Sequence, residues 1–248
     1  MIHQIWTSLL YKPLLNVLAF FVSIIPGGDL GVAVIILTIL VKLILFPIAQ
    51  RSLKNQAAMK LLEPEMNKIK TSGASKEEQA KQTMEIYKKY KINPFSGCLL
   101  VLIQLPIIFA LYYVFLKGIS FDSNSLYSFV AVPQNVSMKF LGFWDISGKS
   151  LVLAIIAGIS QFCLAYFMPK AAKTQDTTKK GQSFQETFAK SMNMQMKYVF
   201  PFIVAFIAYS VSGAVALYWV TSNIFTIFQQ IYVNKKNKSL ELLVNANK

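Results

Sequence analysis

Apolar residues gather into four long runs, at about 31 to 50, 96 to 117, 151 to 168 and 198 to 232, separated by polar and charged segments. A helix of about 20 residues, rising 1.5 Å each, covers the roughly 30 Å of a bilayer's hydrocarbon. The last run holds two such helices, with Ser210-Val211-Ser212-Gly213 as the break, so the pattern predicts five spans: about 31–50, 96–117, 151–168, 198–211 and 214–232. Residues 2 to 25 are also apolar, but Lys12-Pro13 leaves only about a dozen uninterrupted residues, too few to span comfortably. With Trp6, Tyr11 and Lys12 as interfacial residue types, that stretch reads as an amphipathic helix on the external membrane surface. No small-residue cleavage site precedes Pro26-Gly27-Gly28.

Between the first two spans, Ser52 to Asn93 reads as a helical hairpin. Thr71-Ser72-Gly73-Ala74 supplies its turn and Ser75-Lys76-Glu77-Glu78 a capping box for the second arm. Ala80, Met84, Tyr87 and Tyr90 form one apolar stripe, and Met59, Leu62, Met66 and Ile69 the facing one, with Pro64 bending or restarting the first arm. The predicted fold is therefore all-α: a polytopic membrane protein with a five-transmembrane-helix bundle, an external N-terminal amphipathic helix and a cytoplasmic helical hairpin. Its organisation is 1–29 for the N-terminal segment, 30–235 for the core and 236–248 for a basic tail.

Composition sharpens this picture. At 54% hydrophobic and 15% charged, with mean hydropathy +0.47, the chain cannot hide all four runs in a soluble core. A formal charge of +14 would suggest nucleic acid in a soluble protein, but here its placement matters more. Lys and Arg number ten from Arg51 to Lys91, three from Lys117 to Lys149, six from Lys170 to Lys197 and four from Lys235 onward. By the positive-inside rule, the hairpin at 52–93, the loop at 170–197 and the C-terminus are cytoplasmic; the N-terminus and the 118–150 connector are outside. Five spans and that alternation agree with each other; a sixth span at residues 2–25, with the N-terminus inside, is a further reading.

The chemistry sits inside the spans. Lys42 lies near the middle of the first, where insertion scales put a lysine at roughly +2.5 to +3.5 kcal/mol, and Thr38 shares its face one turn earlier. Gln104 and Pro106 lie at the centre of the second span, and Ser160 and Gln161 at the centre of the third. On the last, Trp219, Ser222, Asn223, Thr226 and Gln230 recur as one polar and aromatic stripe. No span contains Asp or Glu, which removes the usual proton relay and the general base a nucleophile needs. His3 stands alone at the N-terminus, and Cys98 and Cys163 lack metal-like spacing, so no catalytic residue, metal or cofactor is expected. If the polar faces converge, they form a hydrated, positively charged intramembrane groove able to hold polar segments of another polypeptide. An oligomeric channel or small transporter is the competing class.

The strings Asn93-Pro94 with GCLLVLIQLPIIFALYYVF, then FPFIVAFIAYSVSGAVALYWVTSN running on to Gln229-Gln230, resemble the YidC-type membrane protein insertases, the bacterial branch of the Oxa/Alb superfamily. The likeness covers about residues 31 to 235. It implies a five-helix core with a hydrophilic groove open to the cytoplasm and lipid and closed outside. It implies an insertase and chaperone of the prokaryotic plasma membrane, acting on nascent membrane proteins. TILVKLILFP places Lys42 where that family carries a basic residue, commonly Arg; Gln161 and Trp219 fall at its groove-lining positions. The hairpin and tail match the family's contacts with ribosome and targeting factors; the Sec translocase and anionic lipids are further expected partners. Unlike many Gram-negative members, this sequence shows no large external domain ahead of the first core span, and unlike many Gram-positive ones no lipoprotein cysteine.

Overall fold

The computed structural model describes residues 4, 6–93, 96–116, 121, 125–167 and 194–246. His3, Pro94 and the 170–197 loop as far as residue 193 lie outside these. Helix α1 is a π-helical turn, Thr7–Tyr11, continued by the α-helix Lys12–Ile24. Pro13 removes an N–H seven residues into α1, and the wider π-helical turn before it, in which the Lys12 N–H donates to Thr7 O, carries the chain through the proline, so Lys12-Pro13 leaves the element unbroken. The resulting 18 residues, Thr7–Ile24, are long and apolar enough to cross a membrane by length and composition, as are Leu30–Met59.

The α1 contacts nevertheless gather at one end of the molecule. Trp6 stands edge-on to Tyr113, three residues before α5 (Ser96–Leu116) stops, with ring centroids 5.2 Å apart. At the other end Ile25 leads through Pro26–Gly28 into α2, Leu30–Leu61. Both ends of α1 thus lie where α2 begins and α5 finishes. Leu14, Leu15, Leu18, Ala19 and Val22 form its buried stripe.

Past Leu61 the chain turns at Leu62, and α3 (Glu63–Thr71) starts with Pro64 in its first turn. Ser75 caps α4 (Lys76–Lys89), its hydroxyl accepting the Glu78 N–H at 3.3 Å. The two arms meet, and the Tyr90 hydroxyl donates to Glu65 Oε1 at 2.8 Å, which pushes the phenol's pKa up. The half-buried face of α4 carries Thr83, Ile86 and Tyr87, whereas Ala80, Met84 and Tyr90 are exposed. The apolar stripe expected from spacing is therefore rotated. Ile86, the most apolar residue of the arm, was not in that stripe, and Tyr90 is drawn aside by Glu65.

The remaining helices are α6 (Leu151–Phe167), α7 (Phe200–Ser210, after the π-helical turn Gln195–Val199) and α8 (Gly213–Ala246). Helix α8 is central, packed along α2 on one side and α6 on the other; α5 lies against α2, and α7 against α6. Gly158 lets α6 and α7 approach closely: a β-carbon there would stand 3.2 Å from the Pro201 carbonyl.

The connector between α5 and α6 closes the end of the bundle where α1 lies. It contains a two-stranded ribbon, β1 (Lys139–Phe140) and β2 (Trp144–Asp145), in register Lys139 with Asp145 and Phe140 with Trp144. The Leu30 N–H donates to Ser137 O at 3.1 Å, and the Ser137 N–H to Gly28 O at 2.9 Å. Gly28 holds φ +65°, and any β-carbon there would collide with the Asn135 carbonyl. On the far side the Gly213 N–H donates to Gly148 O at 2.9 Å and the Ala214 N–H to Ile146 O at 3.2 Å, with Ile146 fully buried. Asn16 fastens α1 to the same connector: its buried amide donates to Ser125 O at 3.2 Å and accepts the Tyr127 N–H at 2.6 Å. The connector thus supplies the hydrogen-bond partners that the first turns of α2 and α8 lack within their own helices.

Candidate functional site

Lys42 lies twelve residues after Leu30, Gln104 twelve before Leu116 and Thr226 thirteen after Gly213. At 1.5 Å per residue all three stand about 18–20 Å from the capped end, deep in the bundle. There the half-buried Lys42 Nζ donates to Gln104 Oε1 at 3.4 Å and Thr226 Oγ1 at 3.2 Å. The Gln104 amide donates in turn to the Tyr218 hydroxyl, which is also hydrogen-bonded by Ser222. The Thr226 hydroxyl returns its proton to the Ser222 carbonyl at 2.8 Å. Among the described residues the cation is therefore held by neutral oxygens alone, on a network drawn from α2, α5 and α8.

A second polar pair lies nearer the capped end. Asn223 Nδ2 donates to Ser160 Oγ at 3.0 Å, joining α8 to α6, and the Ser160 hydroxyl donates to Ala157 O at 2.7 Å. Gln161 is buried beside it in sequence. One turn beyond Lys42 and Thr226, an open pocket of about 280 Å³ is lined by Phe46, Phe225, Phe228, Gln229 and Tyr232. The Gln229 amide donates to Phe46 O at 3.3 Å, just before Pro47. Gln230 is fully buried and bonds Asn234 at 2.8 Å, while its Oε1 has no partner among the described residues.

The residues singled out from sequence thus divide. Lys42 and Gln104 meet directly, and Ser160 meets Asn223, without any contact being visible in the sequence. Thr38 is buried and bonds its own helix at Val34 O, 2.6 Å, rather than extending the Lys42 face. Trp219 belongs to the apolar core. Ser222 joins the network through Tyr218, a residue sequence reasoning passed over. Its signal was the four-residue spacing Tyr218, Ser222, Thr226, which puts all three on one face of α8.

A bundle of this kind, helical, membrane-embedded in composition and built around a lysine with no carboxylate partner among the described residues, defines a helical membrane protein with a polar interior. Residues 20–240 match the 60Kd inner membrane protein family, and the chain belongs to that family. A membrane protein insertase YidC of Fusobacterium nucleatum is 33% identical over 92% of this chain and 98% of its own length. One of Clostridium tetani is 34% identical over 92% of this chain and 91% of its own. A longer relative of the same name, from Caulobacter vibrioides, is 31% identical, and the chain spans 36% of its length. The fold is shared with the crystal structure of an active YidC insertase that includes its first transmembrane domain: TM-score 0.51 at 22% identity, covering 80% of this chain and 40% of that one.

Proposed function

We propose that the protein is a membrane protein insertase and chaperone of the bacterial plasma membrane. It holds polar segments of nascent membrane proteins against Lys42 while their apolar segments pass into lipid. The carrying observation is the Lys42 network: a cation about midway through the bundle, bonded to Gln104 and Thr226 and to no carboxylate among the described residues. Neutral hosts leave its charge uncompensated, so an acidic or polar segment of a substrate lowers the cost of keeping it there. The aromatic pocket one turn further gives an apolar neighbour for the rest of the segment. Insertion on this scheme needs no cofactor and no covalent step.

In the same reading, five helices span the membrane, with the capped end and N-terminus outside, and the hairpin, Lys-rich loop and tail in the cytoplasm. The contacts of Trp6 with Tyr113 and of Asn16 with Ser125 and Tyr127, at the end where α5 finishes and the connector lies, support an α1 that lies along the outer surface rather than crossing. The groove then comprises Lys42, Gln104, Ser160, Gln161, Ser222 and Asn223, with Tyr218 and Thr226 added, and Thr38 and Trp219 as its apolar-side support. Ribosome, targeting factors and anionic lipids meet the basic cytoplasmic segments; the Sec translocase is a further partner.

The test is protease-protected insertion of a small single-span protein with an acidic translocated tail into liposomes, comparing wild type, Lys42→Ala and Lys42→Glu. Insertion by wild type and its loss in Lys42→Glu is the expected result. Equal insertion by all three removes the role given to Lys42, and no insertion above empty liposomes removes the insertase reading.

A further inference from the structure

The three residues at the tip of the connector ribbon, Leu141-Gly142-Phe143, are shaped unlike a turn facing water. Leu141 has φ +54° and Gly142 φ +82°, so a branched apolar side chain occupies a left-handed position that turns normally give to Gly, Asn or Asp. Leu141 and Phe143, on either side of Gly142, are 59% and 73% exposed, with only the Trp144 ring, 6.3 Å away, beside Phe143 among the described aromatic contacts. A strained backbone that presents two large apolar side chains outward calls for a partner outside the protein.

The position of the tip says what that partner is. The Leu141 N–H donates to Asp29 Oδ2 at 2.7 Å, while Asp29 Oδ1 accepts the Val32 N–H at 3.0 Å and caps α2. One carboxylate therefore bolts the tip to the first turn of α2, where the first apolar run begins. On the spanning reading proposed for α2, that turn marks the hydrocarbon boundary, so the tip lies level with it. Lys139 and Lys149, both exposed, flank the ribbon, Lys149 Nζ 5.7 Å from the centre of the Tyr209 ring; of the described acids beside them, Asp29 is engaged by the Leu141 and Val32 N–H groups and Asp145 turns back onto the Ser147 N–H and hydroxyl at 2.9 and 2.7 Å. Apolar tip, adjacent cations and boundary height together match a phospholipid surface.

We infer that the Leu141–Phe143 tip is a lipid anchor: it seats Leu141 and Phe143 among acyl chains of the adjoining leaflet and turns Lys139 and Lys149 to the phosphates. It fixes the capped end of the bundle at a set depth, independently of substrate binding. The anchor rests on α2 spanning the membrane, which the test checks separately.

The experiment is nitroxide accessibility in phosphatidylethanolamine/phosphatidylglycerol liposomes. Single cysteines at L141C, F143C, S147C and I44C, with the native cysteines changed to serine, are spin-labelled and exposed to oxygen and to a water-soluble nickel chelate. Ser147 is exposed beside the ribbon and serves as the water reference; Ile44, exposed on α2, serves as the lipid reference. The expected result is that labels at 141 and 143 favour oxygen over the chelate several-fold, as at 44, with the opposite preference at 147. Chelate access at 143 equal to that at 147, with a lipid-like 44, overturns the anchor alone. Exclusion of both reagents at 141 and 143 also overturns it, because a protein partner then covers the tip. A water-like label at 44 overturns the spanning reading and the anchor with it.

Discussion

The capped end and the middle of the bundle are held together by different means. At the capped end the helix starts are joined by backbone hydrogen bonds to one connector, through Ser137 to Gly28 and Leu30, and through Ile146 and Gly148 to Ala214 and Gly213. About 18–20 Å deeper, α2, α5 and α8 are joined instead by side chains at 3.2–3.4 Å around Lys42, and beyond them an open pocket separates Phe46 from Phe225 and Phe228. Backbone ladders give one geometry and little freedom; long polar side chains exchange partners at small cost. The difference teaches a division of labour in which the cap supplies fixed backbone pairing and the polar network the adaptable contacts that the proposed recognition requires.

Substitutions that break each side of this comparison are expected to read out differently. The largest loss of stability falls on Gly28→Val, which forces a branched side chain into a left-handed position and against the Asn135 carbonyl; about 3 kcal/mol is expected, measured by denaturant unfolding in micelles. Asn16→Leu follows at about 2 kcal/mol, because the Tyr127 N–H and Ser125 carbonyl lose their buried partner; unequal loss of α1 and core helicity on heating is its signature. Asn223→Ala costs only about 0.6 to 1 kcal/mol, the usual worth of an interhelical polar pair in a membrane, and the Ser160→Ala/Asn223→Ala cycle isolates the coupling. Lys42→Met inverts the pattern. It changes stability by under about 1 kcal/mol in either direction, since an uncompensated charge leaves with its costs, yet it reduces insertion of an acidic-tailed substrate by about tenfold.

The smallest effect belongs to pH at the cap. Asp145 accepts two hydrogen bonds from Ser147, its hydroxyl and its N–H, and these hold the carboxylate below the usual range. Its contribution to stability is present above the ordinary carboxylate pKa and is lost as pH falls through the depressed one. Asp145→Asn is expected to flatten a shallow decline in melting temperature between about pH 5 and pH 3, without touching insertion at neutral pH.

How much of this was legible in the sequence follows from what each feature depends on. Lys42 and Gln104 announced themselves because a charge or an amide in an apolar run has a cost that only a polar neighbour offsets. Their meeting was not legible, since nothing local records which helices lie side by side. Tyr218 was missed because a tyrosine among aliphatic residues looks like core, and its hydroxyl acquires a role only from Gln104 on another helix. Trp219 shares the face of Ser222 and Asn223, three and four residues on, yet it is buried in the same apolar cluster as Tyr218, because helical spacing marks a face without marking whether water or packed side chains meet it. The connector ribbon left no trace in the pattern: each strand has two residues, too few for alternation, and its geometry comes from Asp29 and Gly28 more than a hundred positions away. Lys12-Pro13 reads as an interruption by composition, but the π-helical turn before the proline carries the helix through it.

The length of α8 has a mechanical consequence. Its 34 residues run from Gly213 to Ala246 without a break, about 51 Å of rigid rod at 1.5 Å per residue, and α2 runs 32 residues from Leu30 to Leu61, about 48 Å. Both are clamped at one end by the connector and both outreach a bilayer's hydrocarbon, so they form a pair of tongs with a fixed pivot. Lys42 is carried by one arm and Thr226 by the other. Between the protruding ends and the pivot the two arms are joined by side-chain bonds only, Gln229 to Phe46 O and then Lys42 to Thr226, so a force that parts them would meet these before the backbone ladder of the connector.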